Sequence, residues 1–138
     1  MKSIKVMLAV SIFPVAVWAS NPPEKVVQAL NQKFPNIKNV HWGKESKSEW
    51  EAEFIYNGVK TSANFLTDGQ WLETETKIPV TELPAAVTQS IHANYKTSTL
   101  VGADKIETSM NETLYEAELK SGIKIKEVVF NSDGTIHK

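Results

Sequence analysis

Residues 50–65, Trp50-Glu51-Ala52-Glu53-Phe54-Ile55-Tyr56-Asn57-Gly58-Val59-Lys60-Thr61-Ser62-Ala63-Asn64-Phe65, read as two strands joined by a two-residue turn. Asn57-Gly58 is the reason. A type I′ hairpin turn needs positive φ at both central positions, and Asn followed by Gly tolerates this best. A two-residue loop sets Phe54 opposite Thr61, Ala52 opposite Ala63 and Trp50 opposite Phe65. Successive strand residues point to opposite faces, so these apolar partners share one face while Glu51 and Glu53 share the other. The segment predicts an antiparallel sheet with one dry side and one wet side.

The pattern recurs further along the chain. Tyr115-Glu116-Ala117-Glu118-Leu119 repeats Trp50-Glu51-Ala52-Glu53-Phe54, and the same spacing carries Phe65 onto Phe130 and Asp68 onto Asp133. Each copy opens with a helix. The first is predicted to start at Asn21 as N-cap, with Pro22 in the first turn and Glu24 three residues on. Val26, Val27, Leu30 and Phe34 then form a stripe of period 3.6. The second is predicted from Thr81, with Pro84 in its first turn and Leu83, Val87, Ile91 and Tyr95 four apart. Strand-type segments follow at 39–44, 48–56, 59–65 and 71–77, and again at 97–108, 113–120, 123–130 and 135–138. Asp68-Gly69 and Asp133-Gly134 mark the last turn of each copy.

The expected fold class is α+β: a tandem repeat, 21–78 and 79–138, of a helix followed by a four-stranded antiparallel meander, with the helices on one face. A unit of about 60 residues is marginal alone, so residues 20–138 are expected to pack as a single domain. The second hairpin is harder to register, because Ile123 and Ile125 differ in parity from Val128 and Phe130. A face switch is needed between them, and the simplest solution is a three-residue loop 120–122 with a β-bulge at Lys126-Glu127, which sets Leu119 opposite Ile123 and Ala117 opposite Ile125.

At the amino terminus, Lys2 and Lys5 precede the apolar run 6–17, and Val17-Trp18-Ala19 presents small residues ahead of Ser20. That is a secretory signal segment with cleavage after Ala19; the run is too short to span a bilayer and Pro14 interrupts it. The mature chain is expected in the periplasm or secreted, without stable membrane insertion. Losing Lys2 and Lys5 takes the formal charge from −1 to about −3. With no arginine and no concentrated positive field, nucleic acid is a poor partner. The chain has no cysteine, so its core must stabilise it without disulfides.

A helix opened by Asn-Pro-Pro or Leu83-Pro84, an aromatic-Glu-Ala-Glu strand, a Gly hairpin and an apolar strand ending in Asp-Gly, occurring twice behind a signal segment, resembles the PepSY-like, β-lactamase-inhibitor-like family of secreted Bacteroidetes proteins. The resemblance runs from Pro22 to the C-terminus. It implies a fold like that of the secreted β-lactamase inhibitor proteins, and it carries no catalytic residue onto this chain.

Chemistry-bearing motifs are few. There is no Gly-x-Ser-x-Gly elbow, and His41, His92 and His137 have no metal-binding spacing; no metal and no cofactor are expected, nor an enzyme. Glu51, Glu53, Glu116 and Glu118 alternate with apolar residues, and Lys60, Lys124 and Lys126 lie on the following strands, which points to cross-strand charge pairing on a wet face. The aromatic residues are asymmetric: the first copy holds Trp42, Trp50 and Trp71, the second none. Trp50 pairs with Phe65 in the core. Trp71 and Leu72 are adjacent, so one of them is expected on the open face. Trp42, Tyr56, Trp71 and Leu72 are the candidate protein-binding surface. The expected function is a non-catalytic binding module, of inhibitor or accessory type, for a periplasmic or secreted protein; the alternative is a structural or envelope-stress protein without a specific partner. Meander edges can pair, so a monomer or weak dimer is expected.

Overall fold

The computed structural model describes residues 21–138; the signal segment expected at residues 1–19 lies outside them. The order is helix α1 (Glu24–Lys33), strands β1 (His41–Lys44), β2 (Glu49–Tyr56), β3 (Val59–Leu66) and β4 (Trp71–Ile78), a 3₁₀ turn (Val80–Glu82), helix α2 (Ala85–Asn94), and strands β5 (Thr99–Thr108), β6 (Thr113–Ser121) and β7 (Lys124–Asn131). All seven strands form one antiparallel sheet in chain order. Four strands precede the 3₁₀ turn and three follow α2, so the expected repeat of two four-stranded meanders is not reproduced. After β7 the expected strand at 135–138 is only a bridge between Ile136 and Phe130. The Asp133 carboxylate accepts from the Thr135 backbone N–H and hydroxyl at 2.9 and 2.6 Å, which holds Thr135 in the turn.

Both helices begin later than their proline signals predicted. A residue before proline is pushed out of the α region, and Pro22 and Leu83 each precede one. Pro23 and Pro84 are therefore extended N-caps, without a side-chain cap, and Asn21 caps nothing. The Pro23 carbonyl accepts from the Val26 N–H at 2.9 Å. Leu83 is extended, which ends the 3₁₀ turn before α2 starts.

Each helix covers its own half of the sheet. Val26, Leu30 and Phe34 of α1 pack on Trp50, Ala52, Phe54, Ala63 and Phe65. Leu83, Val87 and Ile91 pack on Ala103, Ala117, Leu119, Val128 and Phe130. The two Asp-Gly turns tuck under the helices in the same way. A Cβ on Gly69 would stand 2.9 Å from the Lys25 carbonyl oxygen, and one on Gly134 2.4 Å from that of Ala86.

The first hairpin has the expected register, with Trp50 opposite Phe65, Ala52 opposite Ala63 and Phe54 opposite Thr61. Asn57 and Gly58 both have positive φ. The second hairpin corrects the expectation. Ser121 pairs with Lys124 across a two-residue turn, Gly122-Ile123, and the ladder runs regularly to Leu114–Asn131 with no bulge at Lys126-Glu127. The parity conflict disappears because Ile123 and Ile125 are not core residues: they are 98% and 59% exposed. Bulges lie instead between β3 and β4 at Phe65 and between β5 and β6 near Gly102.

Candidate functional site

The sheet face away from the helices is built by the residues that alternate with the core. Glu49, Glu51 and Glu53 come from β2, Asn64 and Ser62 from β3, Glu73, Glu75 and Lys77 from β4, Asp104 from β5, Glu116 and Glu118 from β6, and Glu127 from β7. With Glu45 and Lys60 they line a trough of about 430 Å³ that holds ten carboxylates and two lysines. Like charges on neighbouring strands are unfavourable, so this is no ordinary mixed-charge surface.

An apolar shelf borders the trough. Ile106, Leu114 and Val129 form a third buried cluster, and register places it on the acidic face: Ile106 opposes Glu75, and Val129 opposes Glu116. The shelf removes water from those carboxylates, and loss of water favours the neutral acid. Burial pushes Glu75 up to about 9, with repulsion from Glu116, Glu73, Asp104 and Glu51 adding to it. Burial likewise raises Glu116 to about 8, helped by Glu127 and Asp104 and opposed by Lys77. Glu51 rises to about 7 by burial and by Glu45 and Glu53, while a hydrogen bond from Ser62 works the other way. Burial and Glu49 raise Glu73.

One cation is seated among them. Lys77 donates to Asp104 at 3.1 Å and to Glu118. Burial pulls its pKa down, but those two partners outweigh it and raise it. Glu118 reaches Lys77 because Gly102 lies beneath it: a Cβ there would stand 2.7 Å from the Glu118 carboxyl carbon. At the other end, the Asn64 amide donates to Glu49 at 3.0 Å.

The sequence-predicted aromatic residues are placed elsewhere. Trp42, Tyr56 and Trp71 are half-buried and pack against the α1 cluster, on the helix side of the sheet. Tyr56 meets the Phe34 ring edge-on at 5.2 Å between centroids. Trp71 is turned to that side by the bulge, which pairs it with Phe65 while Glu73 pairs with Asn64. Its Nε1–H donates to Thr74 at 3.0 Å, and the Lys33 ammonium sits 3.6 Å from its ring centroid. Leu72, the extra residue of the bulge, is half-buried and belongs to neither main core. The structure thus brings Glu51, Glu53, Glu116 and Glu118 into one trough and leaves Trp42, Tyr56, Trp71 and Leu72 outside it. No motif in the sequence singles out Glu75, Asp104 or the Ile106 shelf; the one signal is that Asp104 and Ile106 share a parity on β5.

His41 and His92 are exposed, and His137 Nδ1 lies 3.0 Å from the Asn131 side-chain oxygen. Among the described residues no group of three or more His, Cys, Asp or Glu is arranged to hold a metal ion.

Fold and face define a two-helix, antiparallel-sheet protein with an open, acidic face. Residues 48–138 match the family described as "Putative beta-lactamase-inhibitor-like, PepSY-like", and the chain belongs to that family. No curated protein matches it. Among solved structures it is similar to one titled a putative periplasmic protein from Bacteroides eggerthii, with TM-score 0.74, 20% identity, and 86% of this chain and 88% of that chain covered. A DUF2874 family protein from Bacteroides uniformis aligns with TM-score 0.73 and 24% identity, covering 88% of each chain. A BLIP-like protein from Bacteroides fragilis aligns with TM-score 0.67 and 20% identity over 87% of this chain and 86% of that chain. Identities this low establish the fold alone.

Proposed function

We propose that this chain is an exported, non-catalytic binding module, of inhibitor or accessory type, that recognises a cationic segment of a periplasmic or secreted protein in the acidic trough. The observation that carries the reading is the set Glu51, Glu73, Glu75 and Glu116, held together on a partly dry surface where each is pushed toward its neutral form. Such an arrangement costs stability, and local rules are broken in this way chiefly where a site is served. A lysine-bearing segment entering the trough relieves the repulsion, as Lys77 already does on one side. The family description and the BLIP-like neighbour support a binding role. The amino-terminal pattern and the periplasmic description of the B. eggerthii protein support export, and no helix among the described residues is long and apolar enough to cross a membrane.

The test is an amide NMR titration with a lysine-rich peptide and, separately, a glutamate-rich one. Saturable shifts confined to β2, β4 and β6 with the first peptide, absent with the second and in Glu51→Gln/Glu75→Gln/Glu116→Gln, are expected. Shifts scattered over the surface contradict the reading. The second reading, a structural or envelope-stress protein without a specific partner, draws on one observation: the open face carries none of the expected aromatic anchors, because Trp42, Tyr56 and Trp71 pack beneath α1.

A further inference from the structure

Eight large apolar side chains are exposed among the described residues, and six of them, Ile55, Val59, Val80, Val101, Ile123 and Ile125, lie toward one end of the sheet. That end is set by topology. In an antiparallel sheet taken in chain order, the β2–β3 turn, the β4–β5 connection and the β6–β7 turn all fall on the same edge. Ile55 and Val59 flank the first turn, Val80 begins the connection, Val101 lies near the start of β5, and Ile123 is in the last turn with Ile125 just beyond. The two hairpin tips are separated by about four strand spacings, roughly 19 Å.

The lysines of this end surround the apolar tips. Lys60 pairs with Ile55 in the first hairpin. In the second, Lys124 pairs with Ser121, Lys120 with Ile125 and Lys126 with Leu119. Lys120 therefore points to the open face while Lys124 and Lys126 point to the helix face, all within about 10 Å along the strands. Glu82, in the 3₁₀ turn, is the counter-charge on the connection. Nothing in the fold accounts for Ile123. It is almost wholly exposed, and an added Cβ on its turn partner Gly122 would meet nothing within 4 Å.

We propose that this end of the sheet is a reversible docking surface for an anionic lipid bilayer, with Ile123 and Ile125 entering the interface while Lys60, Lys120, Lys124 and Lys126 meet the lipid phosphates. Ammonium groups on both faces of a ribbon with an apolar tip suit a plane that the ribbon enters end-on, where long lysine side chains reach back to the headgroups. A groove on a protein would instead select one face. This surface shares only Lys60 with the proposed binding trough, and it would hold the trough, whose charge an anionic bilayer repels, to the side of the contact.

The test is co-sedimentation of the exported protein with vesicles of phosphatidylglycerol in phosphatidylcholine and with vesicles of phosphatidylcholine alone, at low and high salt. Expected is binding to the anionic vesicles only, weakened by salt, reduced about tenfold in Ile123→Asn and abolished in Lys120→Glu/Lys124→Glu/Lys126→Glu. All of these positions are exposed, and unchanged circular dichroism confirms folding of each variant. Binding unaffected by Ile123→Asn, or equal on both vesicle types, overturns the proposal. So does sedimentation equilibrium showing that the same tip residues drive self-association without lipid. The trough variant Glu51→Gln/Glu75→Gln/Glu116→Gln should still bind vesicles, so failure of the trough reading leaves this one separately decided.

Discussion

The Glu118 carboxylate rests directly over Gly102, where a Cβ would come within 2.7 Å of it. This contact lets a β6 side chain cross β5 and reach Lys77 on β4. Gly102→Ala should displace Glu118 and release Lys77 from one partner; only the end of a flexible side chain has to move and Ala suits a strand better than Gly, so the net loss should stay below about 1 kcal/mol. The cost should be largely relieved in Gly102→Ala/Glu118→Ala, so a urea-unfolding double-mutant cycle should give a coupling near the single-mutant loss. Additive losses would mean that the two residues act independently.

Lys77 also bears on the protonation of its surroundings. Its charge opposes the rise at Glu116, so Lys77→Met should move the Glu116 carboxyl above about 8 and cost up to about 1 kcal/mol at neutral pH. Carboxyl ¹³C NMR titration reads the first effect and chemical denaturation the second. A Glu116 titration unchanged by the substitution would show that burial and the neighbouring carboxylates govern it without Lys77.

Stability should depend on pH in an unusual direction for an acidic protein. Glu51, Glu75 and Glu116 have folded-state pKa values raised from 4.5 to about 7, 9 and 8. Between 4.5 and those values the folded chain holds more protons than the unfolded one, so stability falls as pH rises. The contribution is fully present below 4.5 and is lost as pH passes through 7, 8 and 9. Tm should therefore drop between pH 5 and pH 9, and Glu75→Gln should flatten that slope and raise Tm at pH 9. A Tm that rises across this window would contradict the electrostatics of the trough.

The sequence carried the first hairpin in full, because Asn57-Gly58 dictates a turn whose register then pairs Trp50 with Phe65. It failed where a local pattern had two solutions. Ile123 and Ile125 were placed in the core by hydrophobicity, yet the turn Gly122-Ile123 needs no bulge once they are left in solvent. Trp71 was undecided because strand parity is reset by an extra residue, and nothing in Trp71-Leu72 marks a bulge. Alternation alone puts Glu51, Glu53, Glu116 and Glu118 on the open face, but the expected cross-strand pairing with Lys60, Lys124 and Lys126 does not occur. Glu51 and Glu53 oppose Asn64 and Ser62, Glu116 and Glu118 oppose Val129 and Glu127, and Lys124 and Lys126 lie on the helix face. The crowding of the carboxylates was not visible, because Glu75, Asp104 and the shelf of Ile106 and Val129 join them only through strand order.

The two Asp-Gly turns each lie against the first turn of a helix. Gly134→Ala adds a Cβ 2.4 Å from the Ala86 carbonyl oxygen at a positive φ, and Gly69→Ala one 2.9 Å from that of Lys25. Both should destabilise, by about 2–4 kcal/mol, with Gly134→Ala the larger. Thermal unfolding of the two variants measures this, and a neutral result at Gly134 would show that α2 shifts freely over the turn.

Isothermal titration calorimetry of a lysine-rich peptide at pH 8, in two buffers of different ionisation enthalpy, tests the acidic trough most directly. An ammonium entering beside Glu75 and Glu116 favours their charged forms, so binding should release protons and the heat should differ between buffers. Both the binding and the difference should be lost in Glu51→Gln/Glu75→Gln/Glu116→Gln. Binding without proton release, or undiminished binding in the triple variant, would contradict the assignment of the acidic face as the recognition surface.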